Sequence, residues 1–293
     1  MSAVLMPGGP VAEAVFEDVG RRVEKLAAAG RTVGLATLLV GDDQASAGYI
    51  RMKQEKAAEL GIASPHAHLP ADASQDDVES AIRAFNDDPA VDGLLFQYPP
   101  PDHIDFDRAL ALIDPDKDVD GIHPFNLGRL ALSMPCPVAC TPAGIETLLA
   151  YYEVPVSGRH VVILGRGVTI GRPLALLLSQ KRPTANAAVT VVHTGVADWA
   201  DHTRRADVLV AAAGVPRIIQ PNHVRPGAAV VGAGVRYEGR RLLPDVDESV
   251  EEVAGWITPR VGGVGPTTVA MLMRNVVELA ERRHSDPDRA DER

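Results

Sequence analysis

The chain has 293 residues, a formal net charge of -10 at pH 7, and an apolar fraction of 46%. The negative charge argues against duplex nucleic acid and anionic membranes as partners, because both are negatively charged themselves. No apolar run reaches membrane-spanning length and no signal-like start is present, so we expect a cytoplasmic protein. A chain of this length is long for one hydrophobic core and suits two domains.

Short aliphatic runs alternate with longer amphipathic segments through the first half of the chain. The helical spacing of apolar residues predicts helices at about 11–30, 46–60 and 75–86. Strands are predicted at 33–40, 66–69 and 93–97. This alternation is typical of an α/β fold with a parallel sheet. Gly61 follows the second helix and suits a left-handed C-cap.

The second half repeats the pattern. Thr141 is predicted to be the N-cap of a helix, with Pro142 at its first position. Beyond residue 159 a strand, a glycine turn and a helix are followed by predicted strands at 188–192, 208–212 and 228–231 and by a last helix at 267–282. We therefore predict one domain over 1–145, completed by 265–283, and a Rossmann-type domain over 146–264, with a cleft between them. The charged tail 284–293 is expected to be disordered.

The glycine turn after residues 161–164 is the most informative motif. Gly165, Gly167 and Gly171 stand between a β-branched strand and a helical pattern. Such glycines let the backbone approach a pyrophosphate, and the first helical N–H groups point at its charge. A tight strand–helix turn without a ligand is the alternative interpretation.

Polar residues near other strand ends are further candidates. Tyr49 and Lys53 share one face of the helix after the first strand, which is where α/β proteins bind ligands. Gln97 closes a later apolar strand. A half-exposed helix face and a simple strand-to-loop transition are the respective alternatives.

The acidic loop 114–121 allows three interpretations. Its spacing is not that of a calcium loop, since no bidentate glutamate is placed for one. Its carboxylates are either solvated, or one of them binds the N–H array of a heterocycle.

The loop 262–266 holds three glycines and a proline, which fix a backbone beside a ligand or another domain. Cys136 and Cys140 have no companion pair and are expected to be reduced thiols rather than a zinc site.

Taken in order, these motifs resemble those of the bifunctional methylenetetrahydrofolate dehydrogenase/methenyltetrahydrofolate cyclohydrolase family. The resemblance covers about residues 10–280, and the turn G-R-G-V-T-I-G-R-P is similar to that of its actinobacterial branch. The motifs that carry it are Tyr49-x-x-x-Lys53, Gln97 before Pro99-Pro-Pro, Lys117-Asp-Val-Asp120-Gly, Cys140-Thr-Pro, Gly165-Arg-Gly and Gly262-Gly-Val-Gly-Pro266. It implies a folate-binding domain, an NADP-binding domain and a homodimer.

The resemblance also implies residue roles. Lys53 corresponds to the catalytic lysine and Gln97 to the glutamine that hydrogen-bonds it. Tyr49 corresponds to the tyrosine beside the folate's reacting carbon, and Asp120 to the acid that holds the pterin ring. Substrate binding is assigned to Tyr49, Gln97, Asp120, Gly262, Gly263 and Pro266. Cofactor binding is assigned to Gly165, Arg166, Gly167, Gly171, Thr194 and Val235.

The implied reaction removes a hydride from the one-carbon bridge of methylenetetrahydrofolate, after which water attacks the methenyl cation and Lys53 handles the proton. Burial makes a neutral lysine accessible, and a neutral glutamine orients the amine without adding a countercharge. No metal is expected, because the methenyl carbon is already electrophilic. NADP is favoured over NAD because His193 and Thr194 stand where NAD-binding turns carry an acid, whereas Arg166 can meet a 2′-phosphate.

The sequence departs from the family pattern at several positions. Gly167 stands in place of a common serine, Gly232 in place of an aspartate, Arg260-Val261 in place of Val-Pro, and Gly9-Pro10 in place of Gly-Lys. The alternative hypotheses are accordingly an enzyme with only one of the two activities, and a non-catalytic NADP- or folate-binding homologue.

Overall fold

The computed structural model describes residues 3–238 and 241–285, and nine α-helices and eleven strands lie within them. The helices are α1 (Gly8–Ala28), α2 (Gln44–Glu59), α3 (Gln75–Asp87), α4 (Phe106–Leu110), α5 (Pro124–Ala131), α6 (Cys140–Tyr151), α7 (Gly171–Leu178), α8 (Trp199–Thr203) and α9 (Val264–Ser285). The strands are β1 (Val4–Leu5), β2 (Leu35–Val40), β3 (His66–Leu69), β4 (Gly93–Phe96), β5 (His160–Leu164), β6 (Ala188–Val192), β7 (Val208–Ala211), β8 (Ala229–Gly232), β9 (Val235–Glu238), β10 (Arg241–Pro244) and β11 (Trp256–Ile257).

The chain divides into two units. We call them the six-stranded unit and the three-stranded unit, after their parallel sheets. The six-stranded unit comprises residues 3–13, Leu130–Met134 and Ala139–Met271. The three-stranded unit comprises Ala14–Arg129, Pro135–Val138 and residues 272–285. The two-domain α/β fold predicted from the sequence is confirmed.

The six-stranded sheet has the order β1-β11-β8-β7-β5-β6, and every pairing in it is parallel. Its central strands are aliphatic and fully buried because helices cover parallel sheets on both faces. The chain places β6 on one side of β5 and β7 on the other. The carboxyl ends of β5 and β7 therefore form a topological switch point, where open α/β sheets bind ligands.

The three-stranded sheet repeats this logic with the order β3-β2-β4, again fully parallel. After β2 the chain goes to β3 on one side and then to β4 on the other, so a second switch point lies between the carboxyl ends of β2 and β4. Helix α2 starts at this edge, and the carboxylate of its N-cap, Asp43, accepts the N–H of Ser46 at 2.7 Å. Such a cap satisfies one of the otherwise unpaired N–H groups of the first turn.

Most predicted elements are confirmed to within a few residues, and Gly61 has the left-handed φ of +74° expected after α2. The N-cap prediction for Thr141 is wrong. Helix α6 begins two residues earlier than predicted, at Cys140, and its N-cap is Ala139 without a side-chain bond. The Thr141 hydroxyl instead lies 3.2 Å from that of Thr268, which offers it a partner outside its own helix.

The ends of the units also differ from the predicted boundaries at 145 and 264. Residues 3–13 and helix α6 belong to the six-stranded unit, and α9 belongs to the three-stranded unit from Leu272 onward. Residue 284, at the start of the tail predicted to be disordered, is helical because α9 continues to Ser285; residues 286–293 of that tail lie outside the described residues. Within the described ranges, no helix is long and apolar enough to cross a membrane.

Candidate active site

A lysine and a glutamine meet at the switch point of the three-stranded sheet. Lys53 lies on α2, after β2, and Gln97 directly follows β4, the neighbour of β2. The Lys53 Nζ donates a hydrogen bond to Gln97 Oε1 at 3.1 Å. The buried Gln97 side chain also donates its Nε2 to the carbonyl of Tyr98 at 2.7 Å, which fixes the amide so that its oxygen faces the amine. This arrangement orients a primary amine at a ligand-binding edge.

Tyr49 presents an aromatic ring one helical turn before this amine. Residues four apart in a helix share a face, so Tyr49 and Lys53 lie on the same side of α2. The Tyr49 side chain is 43% exposed. A planar ligand beside Lys53 therefore has an exposed ring to stack on.

Asp120 supplies the acid of this site. Burial raises the pKa of its carboxyl to about 6, while the positive charge of Lys53 lowers it and the neighbouring Asp118 raises it. The carboxyl and the amine are thus close enough to feel each other's charge. Asp120 therefore adds a negative charge near the amine, which the neutral Gln97 does not.

Asp118, in the same acidic loop, is held by hydrogen bonds. Asp118 is buried and accepts the N–H groups of Gly121 and His123 at 3.0 and 2.9 Å and the Asn126 amide at 3.0 Å. Burial raises the pKa of Asp118, although these hydrogen bonds oppose the rise. Asp118 is therefore a buried acceptor of hydrogen bonds from its own loop and from Asn126, and not a solvated carboxylate.

Lys117 closes the end of α3. Its buried Nζ donates to the carbonyls of Phe85, Asn86 and Asp88 at 3.0, 2.6 and 2.9 Å. A cation is favourable there because the last carbonyls of a helix carry partial negative charge. Across residues 3–238 and 241–285, no three His, Cys, Asp or Glu side chains group together in a way that could hold a metal ion.

The glycine turn lies at the switch point of the six-stranded sheet. Gly165, the residue after β5, has a φ of +140°, and a Cβ there would lie 2.1 Å from the carbonyl oxygen of Ala212, the residue after β7. A Cβ at Gly171, the first residue of α7, would lie 2.2 Å from the carbonyl oxygen of Gly165. Both glycines are therefore required for the close packing of strand ends and helix that a nucleotide-binding turn needs.

The remaining predicted cofactor residues are exposed. Arg166, Gly167, Thr194 and Val235 are all solvent-accessible. The Arg166 guanidinium has no hydrogen bond or ion pair with any residue that the structure describes. Thr194 follows β6, whose last residue, Val192, pairs with the end of β5. Strand order thus brings Thr194 to the same sheet edge as the glycine turn. Neither His193 nor Thr194, the two residues that follow β6, is acidic.

The glycine loop at 262–266 makes a close contact within its own unit. The carbonyl of Gly262 accepts the N–H of Gly8 at 2.8 Å, and a Cβ at Gly8 would lie 2.0 Å from the carbonyl oxygen of Gly263. Gly262 has a φ of +76°, which favours glycine. This loop is therefore held against the start of α1, and the substrate-binding role of Gly262, Gly263 and Pro266 stays a prediction.

Asp245 is a buried acid that the sequence patterns did not point to. Its Oδ2 accepts the N–H groups of Ala213 and Gly214 at 2.6 and 2.9 Å, in the loop that follows β7. Burial raises the pKa of this carboxyl, whereas these backbone bonds lower it. Asp245 therefore fixes the loop at the switch point. No local pattern signals it, because its backbone partners lie 32 and 31 residues away in the sequence.

We expect Asp245→Ala to destabilise the six-stranded unit markedly. Each buried N–H left without an acceptor costs about 1–3 kcal/mol in the free energy of unfolding. Asp245→Asn should cost less, because its amide oxygen can still accept both bonds. Urea unfolding followed by circular dichroism measures the difference. Equal midpoints for the alanine variant and the unmodified protein would contradict this role.

Two family models match the chain in succession. The catalytic-domain model of tetrahydrofolate dehydrogenase/cyclohydrolase matches residues 6–120, and the NAD(P)-binding-domain model of the same family matches residues 139–284. Together they cover most of the chain. The chain belongs to the tetrahydrofolate dehydrogenase/cyclohydrolase family.

Relatives of this family match over nearly the full length. A Salinispora tropica protein named bifunctional protein FolD 1 is 65% identical over 280 residues, which is 96% of this chain and 92% of that protein. The crystal structure of the bifunctional enzyme FolD from Campylobacter jejuni is 37% identical with a TM-score of 0.92, covering 96% of this chain and 100% of that one. The Trypanosoma brucei enzyme, crystallised with NADP cofactor and inhibitor, is 35% identical with a TM-score of 0.90, covering 98% and 100%.

Proposed function

We propose that this chain oxidises 5,10-methylenetetrahydrofolate to 5,10-methenyltetrahydrofolate with NADP and hydrolyses that product to 10-formyltetrahydrofolate. The observation that carries the proposal is the hydrogen bond between Lys53 and Gln97, with Asp120 beside the amine, in a chain of this family. The family models and the names of the relatives supply the substrate. The amine and the carboxyl supply the chemistry that the substrate needs.

Substrate binding follows from the functional groups around Lys53. An ionised Asp120 accepts two hydrogen bonds at once from the adjacent N–H groups of the pterin ring, which is a bidentate pattern. The exposed ring of Tyr49 stacks against the folate beside its reacting carbon. These two contacts hold the one-carbon bridge near the Lys53 amine, and binding in a defined orientation lowers the barrier of the following steps.

Lys53 relays the proton in the hydrolytic step. Water forms a C–O bond to the methenyl carbon, and the neutral amine accepts the proton that the water loses. The bond from this carbon to N5 then breaks as the new hydroxyl loses its remaining proton to solvent and becomes the formyl C=O. The proton held by Lys53 goes to N5, and the formyl group stays on N10. Gln97 keeps the amine in place throughout through the bond at 3.1 Å. Both activities therefore depend on one side chain.

The glycine turn fits NADP. Gly165 and Gly171 allow strand end and helix to approach closely, and Arg166 offers a guanidinium for a 2′-phosphate. His193 and Thr194 follow β6 where an acid would hold the ribose of NAD, so the donor set favours the phosphorylated cofactor. The chemistry that bound NADP supplies is acceptance of a hydride from the one-carbon bridge.

We expect Arg166→Gln to raise the KM for NADP by about 10–100-fold, the size expected for losing a charge-assisted hydrogen bond. The KM for NAD should change little, because NAD has no 2′-phosphate. Arg205→Gln is the matched control, because Arg205 is exposed and lies beside His160, at the opposite end of β5 from the glycine turn. Parallel changes in the KM for both cofactors would argue against a phosphate contact by Arg166.

A spectrophotometric assay with methylenetetrahydrofolate and either NADP or NAD tests the proposed function. Reduced cofactor and methenyl product should appear with NADP, and the methenyl absorbance should then decay through hydrolysis. Oxidation without enzymatic decay would instead indicate an enzyme with one activity. Absence of turnover with both cofactors would favour a non-catalytic binding homologue.

We also infer a cytoplasmic homodimer, because the resemblance implies one. The mass in solution, measured by light scattering, should be about twice 31.1 kDa. A mass of one chain at micromolar concentration would contradict the dimer and leave the proposed reaction unaffected.

A further inference from the structure

Asp120 belongs to a short segment that runs beside β4. The N–H of Leu94 donates to the carbonyl of Lys117 at 2.7 Å, and Leu94 forms a parallel bridge with Asp118. Lys117 and Asp118 are anchored on one side of the segment by the end of α3 and by their own loop. The orientation of the next peptide, between Val119 and Asp120, determines where the Asp120 side chain starts.

Asn275, on α9, donates to that peptide. Its side chain is 2% exposed, and its Nδ2 lies 2.8 Å from the Val119 carbonyl and 2.9 Å from the Val138 carbonyl. The two N–H groups of one amide thus join α9 to two separate loops. The Val119 carbonyl belongs to the same peptide plane as the N–H of Asp120, so the bond fixes the plane from which the Asp120 side chain departs.

The other face of the same peptide is closed by packing. Val119 is fully buried. A Cβ at Gly93 would lie 2.0 Å from Val119 Cγ1 and 3.1 Å from Val276 Cγ2, so β4 carries a glycine where the valines of the loop and of α9 meet. A shift of Val119 toward β4 is blocked by this contact, and a shift away from α9 breaks the hydrogen bond of Asn275.

We propose that Asn275 is a positioning residue, which holds Asp120 at the distance from Lys53 that binding of the tetrahydrofolate substrate requires. This inference rests on the proposed function. The bonds of Asn275 to Val119 and Val138 are made to backbone carbonyls and not to the Asp120 carboxyl. Asn275 acts through the Val119–Asp120 peptide, and a polar residue on the buried face of α9 is explained by that bond.

The test compares Asn275→Leu, which has a similar volume but no N–H groups, with Asn275→Ser, which keeps one hydroxyl donor. Glu281→Gln is the control, because Glu281 also anchors α9, through Nε and Nη2 of Arg22 at 3.0 and 2.6 Å, two turns away. For each variant we would measure the KM for methylenetetrahydrofolate and for NADP, and amide hydrogen exchange over residues 117–121. The exchange measurement reports the mobility of the segment without any substrate.

We expect the KM for folate to rise about tenfold in Asn275→Leu, corresponding to about 1.4 kcal/mol, and less in Asn275→Ser. The KM for NADP should stay within about twofold. Exchange over 117–121 should accelerate in both variants and stay unchanged in Glu281→Gln. An unchanged folate KM in either folded variant, or an equal rise in Glu281→Gln, would overturn the proposal.

Failure of this proposal is distinguishable from failure of the proposed function. If the unmodified protein has no turnover with either cofactor, the proposed function fails, and the exchange rates still decide whether Asn275 orders the segment. If the unmodified protein turns over and the variants match it, the proposed function stands and the role of Asn275 is wrong.

Discussion

Lys53→Met should lose cyclohydrolase activity by about 10²–10⁴-fold, the range that a positioned acid–base group contributes. Methionine keeps most of the length and apolar volume of lysine but cannot accept or donate the proton of the attacking water. Oxidation should also fall, because the two activities share this residue. The decay of methenyltetrahydrofolate absorbance in the presence of the enzyme measures the hydrolytic step directly.

Lys56→Met is the matched control for this prediction. Lys56 lies on the same helix, pairs with Glu59, and has its Nζ 4.8 Å from the ring centre of Phe16. It therefore tests the loss of a lysine on α2 without touching Gln97. Cyclohydrolase turnover at the unmodified rate in Lys53→Met, or an equal loss in Lys56→Met, would contradict the assignment.

Asp120→Asn should weaken folate binding by about 100-fold, because an amide cannot accept two hydrogen bonds from the pterin as a carboxylate does. Asp116→Asn is the control in the same loop, since Asp116 pairs with Arg129 at 3.3 Å. Affinity for folate, measured by calorimetry, should fall only for Asp120. In the unmodified protein it should also fall below about pH 6, as Asp120 takes up a proton.

The same substitution should stabilise the fold at neutral pH. The folded pKa of Asp120, about 6, lies above its ordinary value, so the folded state binds the proton more tightly than the unfolded state does. The contribution of Asp120 to stability therefore falls as the pH rises from about 4 to about 6, and Asp120→Asn lacks this contribution. The advantage of the variant at pH 7 should be below about 3 kcal/mol, because water reaches part of the side chain. Equal pH dependence in both proteins would contradict this.

The sequence is sufficient for the features that depend on local periodicity. Aliphatic runs placed β2 and β4, apolar spacing placed α2, and parallel topology then brings Lys53 and Gln97 to one edge. The pairing of these two side chains was implied by the resemblance, and the structure contains it. Their catalytic roles stay predictions.

Features that depend on distant contacts were not predictable in this way. Asn275 and Val119 are 156 residues apart, and Asp245 reaches backbone 31 residues away, so no local pattern reports either bond. Strand β1 has only two residues and depends on its pairing with β11. Strands β9 and β10 pair with each other and have only four residues each, too few for alternation to predict them.

The Thr141 prediction failed for a related reason. N-cap preference is a local tendency of about 1 kcal/mol, and a partner elsewhere in the fold can compete with it. The acidic loop 114–121 also depends on contacts that its own sequence does not reveal. Its sequence alone left open whether Asp118 is solvated, whereas its burial depends on Asn126 and on the N–H groups of the following turn.

The most direct measurement is a crystal structure of the protein with NADP and a stable tetrahydrofolate analogue. We predict the Lys53 Nζ within about 3.2 Å of the one-carbon bridge, directly or through one water, with the Asp120 carboxylate on the pterin ring. An analogue bound in this complex with its bridge remote from Lys53, and its ring held by other residues, would contradict the account.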